Sequence, residues 1–122
     1  MTQAAPTVVW TEIPVSDIQK GADFYSAVFG WTMTVDTTMG PDPMANFSPD
    51  MAGMHGHLYE GTPGSGSTIH LALPDSLEAG MERCRAAGGK ILGEPVPLPV
   101  GRFVYATDPD GNSIGLFERQ AA

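Results

Sequence analysis

Hydrophobic positions in the first half of the chain change from the period of a strand to that of a helix. Val8–Val15 is a β-branched, apolar-rich run, which predicts a strand. A capping box begins at Ser16, where the hydroxyl can accept from the backbone NH of Gln19. Apolar residues then recur at helical spacing from Ile18 to Phe29, and Gly30 ends the pattern. A strand followed by a capped helix is therefore predicted.

The second half repeats this order. Ile69–Leu73 predicts a short strand, Asp75 is the expected N-cap with Glu78 three residues on, and Gly88 ends the helical pattern. Gly88 follows Gly30 by 58 residues, and the strands and caps recur in the same register. Two matching βα pairs at constant spacing indicate an internal duplication.

Each predicted helix is followed by three short strand candidates and no further helix. They are Trp31–Thr37, Met44–Ser48 and Met54–Tyr59, then Ile91–Val96, Arg102–Thr107 and Ser113–Glu118. The Gly- and Ser-rich stretch at about 61–66 joins the halves. We expect one domain over 1–122, with module one at about 6–60 and module two at about 67–119, since neither half alone could bury a core.

Composition narrows the possible partners. The net charge of −8, with only six Lys plus Arg, argues against nucleic acid, which needs a basic surface. No apolar run approaches the length of a membrane span, and the residues before Val8 lack the pattern of a signal peptide, so a cytoplasmic protein is expected. The single cysteine, Cys84, lies in a predicted helix, where a buried thiol is the expectation.

Five segments of the chain form a recognisable set: 9–17, 23–31, 86–90, the Asp-Pro-Asp-Gly-Asn turn at 108–112 and the final strand at 114–118. Together they resemble the glyoxalase/bleomycin resistance protein/extradiol dioxygenase superfamily, also called the vicinal oxygen chelate superfamily. The resemblance covers nearly the whole chain. It implies an α+β fold in which two βαβββ modules form a cup-shaped, mostly antiparallel sheet with a shared cleft, and it implies a homodimer.

The metalloenzymes of this superfamily hold a divalent ion with His and Glu side chains from four strands. The resemblance places these ligand positions at Trp10, at His55 or His57, at His70 and at Gly115. Trp10 cannot bind a metal and Gly115 has no side chain. Two of the usual four ligands are therefore missing, which argues against standard glyoxalase I activity.

A rearranged site remains possible, because alternation along strands places Glu12 and Trp10 on one face, and His55, His57 and Tyr59 on one face. We expect Glu12, His57 and His70, with His55 as an alternative, to converge as a metal site. Two histidines and a carboxylate suit one divalent ion, Zn, Fe, Ni or Mn. The opposing interpretation is that no metal binds and that the histidines are ordinary solvated side chains.

The expected partner is a small molecule. The resemblance places Trp10 and Phe117 in the cup, where, with Tyr59, they would form an aromatic wall. Arg102 is a candidate for an anionic group of the ligand, although a plain surface arginine is the alternative. Two functional hypotheses follow. The first is a lyase, isomerase or dioxygenase with Glu12 as ligand or general base. The second is a non-catalytic protein that sequesters a small molecule, as bleomycin resistance members do.

Overall fold

A computed structural model describes residues 6–38, 40–50 and 55–120. The chain divides into two compact units, Trp10–Ser67 and Met1–Val9 with Thr68–Ala122. The first module, as named here, is the first of these units together with Val8 and Val9, which begin its first strand, and the second module is residues 68–120. Each has the element order strand, helix, strand, strand, strand. The predicted α+β class and the duplicated βαβββ unit are therefore confirmed, whereas the single domain and the shared cleft stay predictions.

The first module is a four-stranded sheet with one helix on it. Its elements are β1 (Val8–Val15), α1 (Ile18–Phe29), β2 (Val35–Asp36), β3 (Met44–Asn46) and β4 (His55–Glu60). β1 pairs in parallel with β4, and β4–β3 and β3–β2 are antiparallel. The core lies between α1 and the sheet, because buried residues from both sides meet there: Ile18, Ala22, Met33, Ala45 and Leu58.

The second module repeats this topology. Its elements are β5 (Thr68–Ala72), α2 (Leu77–Ala86), β6 (Lys90–Leu98), β7 (Gly101–Thr107) and β8 (Ser113–Arg119). β5 pairs in parallel with β8, and β8–β7 and β7–β6 are antiparallel. Leu77 of α2 packs on Val104, Ala106 and Leu116 of the sheet. In both modules the first strand therefore pairs with the last, as a duplicated unit requires.

Both helices begin one residue later than predicted. Asp17, not Ser16, is the N-cap of α1, with an extended backbone and a side chain that accepts from the backbone NH of Lys20. Ser76, not Asp75, caps α2 by accepting from Ala79. Asp75 instead forms a bidentate salt bridge with Arg83, which lies further along α2. In both helices the predicted and the observed N-cap are neighbouring Ser and Asp residues, and both residue types are favoured at an N-cap, so the sequence alone could not choose between them.

A carboxylate from the last strand of each module supports the start of its helix. Glu60 of β4 accepts from the NH of Ile18 at 3.2 Å, and Glu118 of β8 accepts from the NH of Leu77 at 2.6 Å. These NH groups have no partner within the helix, and negative charge at a helix N-terminus is favourable. Glu118 follows Glu60 by 58 residues, so the duplication extends to this contact.

The strand predictions differ in how closely they match the structure. β1 has the predicted bounds, whereas the strand expected at Trp31–Thr37 is reduced to Val35–Asp36. Trp31 packs instead against the core of the first module from an irregular segment. Met54, the first residue of another predicted strand, lies outside the described residues. Among the described residues, no helix is long and apolar enough to cross a membrane.

Candidate functional site

The predicted site residues of the first module lie on the side of its sheet that faces away from α1. In the β1–β4 pairing, Trp10 lies opposite His55, Glu12 opposite His57 and Pro14 opposite Tyr59. Side chains directly opposite each other in paired strands share a face. Ile13 and Val15, on the opposite side of β1, pack against the core beneath α1. The period-two prediction for these strands is therefore correct.

Asn46 of β3 joins this row, because it pairs with His57 in the antiparallel β3–β4 ladder. We call the whole surface the Trp10 face, formed by Trp10, Glu12, Asn46, His55, His57 and Tyr59. Asn46 was not singled out from the sequence, since its place beside His57 depends on the pairing of β3 with β4. Its strand pattern alone carried no signal of that pairing.

A hydrogen bond links Trp10 to His57 across the sheet. The indole Nε1–H donates to Nδ1 of His57 at 2.8 Å. The other ring nitrogen, Nε2, lies 3.6 Å from Oε1 of Glu12. That separation is longer than a hydrogen bond. The Glu12 and His57 side chains are 11% and 14% exposed, so both are sheltered but retain some accessible surface.

His55 lies in a stack of rings that begins at Trp10. Its ring centroid is 5.1 Å from that of Trp10, with 23° between the planes, and 6.0 Å from that of Phe47. Phe47 in turn stacks on Trp31 at 4.9 Å. The Nε2–H of His55 donates to the carbonyl of Asp50, since a carbonyl can only accept. His55 therefore packs against one face of the Trp10 indole.

Two acceptor atoms of the Trp10 face are buried without a hydrogen-bond partner in the described part of the chain. They are Oδ1 of Asn46 and Nδ1 of His55. Buried polar atoms are nearly always satisfied in folded proteins, and exceptions are often found where water or a ligand completes the network. This feature distinguishes the Trp10 face from an ordinary packed sheet surface.

The second module gathers aromatic residues around His70, which is 2% exposed. The His70 ring meets Phe103 edge-on at 4.9 Å and lies 5.5 Å from Tyr105, while Phe103 stacks on Phe117. His70 pairs with Gly115 in the β5–β8 ladder. A Cβ atom at Gly115 would overlap the imidazole of His70. The glycine at one predicted ligand position thus makes room for the histidine at another.

Arg102 lies on the α2 side of the second sheet, with Val104, because alternate residues of β7 face opposite sides. Its guanidinium donates to Glu78 at 2.9 and 2.9 Å and to Glu118 at 2.6 and 3.3 Å. Hydrogen bonds from Arg102 lower the pKa of Glu78 to about 2 and also lower the pKa of Glu118. Both carboxylates already engage the arginine, and its contact with a ligand anion stays a prediction.

The structure thus brings together Trp10, Glu12, His55, His57 and Tyr59 within the first module, and His70 and Phe117 within the second. Across residues 6–38, 40–50 and 55–120, no three His, Cys, Asp or Glu side chains group as a metal site. The set of Glu12, His57 and His70 stays a prediction. A shallow pocket of about 290 Å³ lies near the start of α1, between Pro14, Lys20 and Phe24, and it is lined by none of these site residues.

Among proteins of known sequence, the anthracycline biosynthesis protein DnrV of Streptomyces peucetius is 30% identical over 138 residues, covering 98% of this chain and 50% of DnrV. The putative glyoxylase CFP32 of Mycobacterium tuberculosis is 30% identical over 86% of this chain and 41% of its own length. The chain thus spans about half the length of these curated relatives. A glyoxylase-like domain-containing protein of Didymella fabae is 30% identical, with 88% and 90% covered.

Solved structures share the fold at low sequence identity. The hypothetical protein BH1468 of Bacillus halodurans superposes with a TM-score of 0.68 at 14% identity, over 98% of both chains. A Vibrio splendidus member of the glyoxalase/bleomycin resistance protein/dioxygenase superfamily gives 0.64 at 17%, over 93% and 99%. The family model for this superfamily matches residues 7–116. This chain belongs to the Glyoxalase/Bleomycin resistance protein/Dioxygenase superfamily.

Proposed function

We propose that the chain binds a small planar molecule on the Trp10 face and that Glu12 exchanges a proton with it. The observation that carries the proposal is the arrangement of Trp10, His57 and Glu12, in which a sheltered carboxylate lies beside a histidine whose ring is held in place. Small-molecule sites combine apolar and aromatic walls with a few placed polar groups. The Trp10 face has both components on rigid strands.

Planarity of the ligand is favoured by the aromatic residues. The indole of Trp10 and the ring of Tyr59 offer π-surfaces on which a flat molecule can stack, beside the carboxylate of Glu12. The relative DnrV is named for anthracycline biosynthesis, and anthracyclines contain fused planar rings. Because this chain spans half of DnrV, that name supports a chemical class of ligand and not a particular reaction.

The proposed reaction is a proton transfer of the isomerase type. Glu12 takes a proton from an acidic C–H of the ligand: the C–H bond breaks, an O–H bond forms on the carboxyl group, and the electron pair moves toward a carbonyl oxygen of the ligand. Return of the proton to a different position completes an isomerisation. The 3.6 Å between His57 and Glu12 can shorten when a ligand binds, since catalytic contacts are often long in ligand-free proteins.

A second candidate is binding without chemistry, as in a protein that sequesters its ligand. It is favoured by the residues at two predicted ligand positions, because Trp10 and Gly115 offer nothing that a metal could bind. The two candidates share the same binding surface and differ only in whether Glu12 moves a proton. An experiment must therefore separate binding from proton exchange.

Binding is tested by titrating planar phenols, quinones and aromatic acids while following tryptophan fluorescence and melting temperature. The chain has two tryptophans, so Trp31→Phe leaves Trp10 as the only indole reporter and Trp10→Phe leaves Trp31. A ligand on the Trp10 face should quench the tryptophan fluorescence of the Trp31→Phe variant and raise the melting temperature of that variant. We expect Trp10→Phe to bind at least about tenfold more weakly, a loss of about 1.4 kcal/mol. Equal affinity of the two variants would place the ligand elsewhere.

Proton exchange is then tested in D₂O with any ligand found in that screen. We expect the protein to catalyse deuterium incorporation at carbon and Glu12→Gln to lose at least about a hundredfold of that rate, within the range typical of general-base groups. Glu94→Gln, at an exposed position of β6, is the matched control. Binding without deuterium incorporation would select the sequestering function.

A further inference from the structure

The hydrogen bond from Trp10 determines which nitrogen of His57 carries the proton. An indole nitrogen is a donor only, and it contacts Nδ1 of His57 at 2.8 Å. Nδ1 must therefore present its lone pair to the indole. In a neutral imidazole the other nitrogen then carries the proton, so Nε2 is an N–H group, and it lies 3.6 Å from the Glu12 carboxylate.

We infer that Trp10 is a positioning residue that keeps His57 as an N–H donor toward Glu12 and thereby prevents His57 from acting as a metal ligand. Metal-binding histidines coordinate through the lone pair of one neutral ring nitrogen, and the other nitrogen usually donates its proton. In His57 the lone pair is already used by Trp10. The donor set of the predicted Glu12, His57 and His70 site thus does not fit a metal.

Coordination through Nε2 would require the ring proton to move to Nδ1. Two N–H groups, one on Nδ1 of His57 and one on Nε1 of Trp10, would then point at each other. The 2.8 Å between these two nitrogens suits a donor with an acceptor and not two donors. The indole would have to turn away and lose its only hydrogen-bond partner among the described residues. A sheltered polar group without a partner is costly, so the contact opposes metal binding at this pair.

The indole is not free to turn without disturbing its neighbours. It stacks on the ring of His55, which is 6% exposed and is itself held by its bond to the carbonyl of Asp50. His55 also stacks on Phe47. Because this stack supports one face of the Trp10 indole, the indole N–H stays directed at His57, as a positioning role requires.

The inference does not depend on the proposed ligand, and its first test uses the ligand-free protein. Nitrogen-15 NMR of the histidine rings distinguishes a protonated from an unprotonated nitrogen. In the wild type we expect His57 to have an unprotonated Nδ1 and a protonated Nε2. In Trp10→Phe, which keeps an aromatic ring but removes the donor, the two tautomers should mix, while Glu94→Gln, at an exposed position of β6, should leave His57 unchanged. A wild-type His57 protonated at Nδ1 would overturn the inference, whatever the variants do.

The second test is a Zn²⁺ and Co²⁺ titration followed by calorimetry and by the His57 resonances. We expect Trp10→Phe to bind the ion at least about tenfold more tightly than the wild type, because one opposing hydrogen bond has been removed. Adding His57→Ala to Trp10→Phe should abolish the gain. Wild-type protein that binds one ion through His57, with no gain in Trp10→Phe, would contradict the inference. Failure of the ligand screen would leave both of these tests unaffected.

Discussion

Gly115→Ala tests whether His70 needs the space that a glycine leaves at position 115. An added Cβ atom would lie 2.5 Å from Cε1 and 2.6 Å from Cγ of the imidazole, and it would overlap Nδ1. The backbone of Gly115 is not among those with positive φ, so alanine itself causes no backbone strain there. The His70 ring must therefore leave its place between Phe103 and Tyr105.

The expected loss follows from two effects. Overpacking a buried site costs about 1–3 kcal/mol, and losing an aromatic edge contact costs about 0.5–1.5 kcal/mol. We expect Gly115→Ala to lower the free energy of unfolding by about 2–4 kcal/mol. With a urea m-value of about 1–3 kcal/mol per M, the midpoint should fall by roughly 0.7–4 M, or about 1.5 M at the middle of both ranges. Urea unfolding followed by far-UV circular dichroism gives both quantities.

A double-mutant cycle separates the clash from any general effect of the substitution. His70→Ala removes the ring, so Gly115→Ala in that background should cost less than about 0.5 kcal/mol, and the coupling between the two changes should exceed about 1.5 kcal/mol. Equal costs in both backgrounds would show that Gly115 is needed for a reason other than His70, and the account of this site would be refuted.

Two further predictions concern the contacts that hold each helix to its sheet. The folded pKa of Glu78 and Glu118 is depressed by hydrogen bonds from Arg102, so the stabilisation is present above about pH 4.5 and is lost as the pH falls toward about 2. Arg102→Gln should therefore lower the urea midpoint at pH 6 and match the wild type near pH 2, whereas Arg85→Gln, at an exposed position, should change neither; a constant difference across this range would contradict the assignment. Glu60→Ala removes the acceptor for the NH of Ile18 and should cost about 0.5–2 kcal/mol, measured by thermal unfolding against Glu94→Ala, and no loss would show that water replaces the carboxylate.

Periodicity predicted the modules and five of the six residues of the Trp10 face, but neither Asn46 nor the contacts within that face. Alternation along β1 placed Trp10 with Glu12, and alternation along β4 placed His55 with His57, because side-chain direction in a strand depends on local sequence alone. The pairing of β1 with β4 depends on where two strands 47 residues apart align, as do the Trp10–His57 bond and the place of Asn46. The sequence contains no local signal for that register.

The same limit applies to Arg102, which the sequence offers as a candidate for a ligand anion or as a plain surface arginine. A single arginine beside a glycine carries no indication of its partners, and both Glu78 and Glu118 come from other elements. The helix caps differ from this case, since the competing residues were neighbours and the error was one position. Local patterns thus predicted elements and faces, whereas pairings between distant residues required the structure.

The two modules replace the metal ligands implied by their superfamily in different ways, and each replacement involves a histidine on the same module. In the first module, Trp10 occupies one predicted ligand position and donates to the lone pair of His57 Nδ1. In the second, Gly115 occupies another and leaves the space that His70 fills. Restoring a carboxylate at Gly115 alone would therefore displace His70 instead of adding a ligand to it. Substitution of Trp10 alone would free the lone pair of His57 for a metal, whereas a ligand at position 115 would also require a new position for the His70 ring.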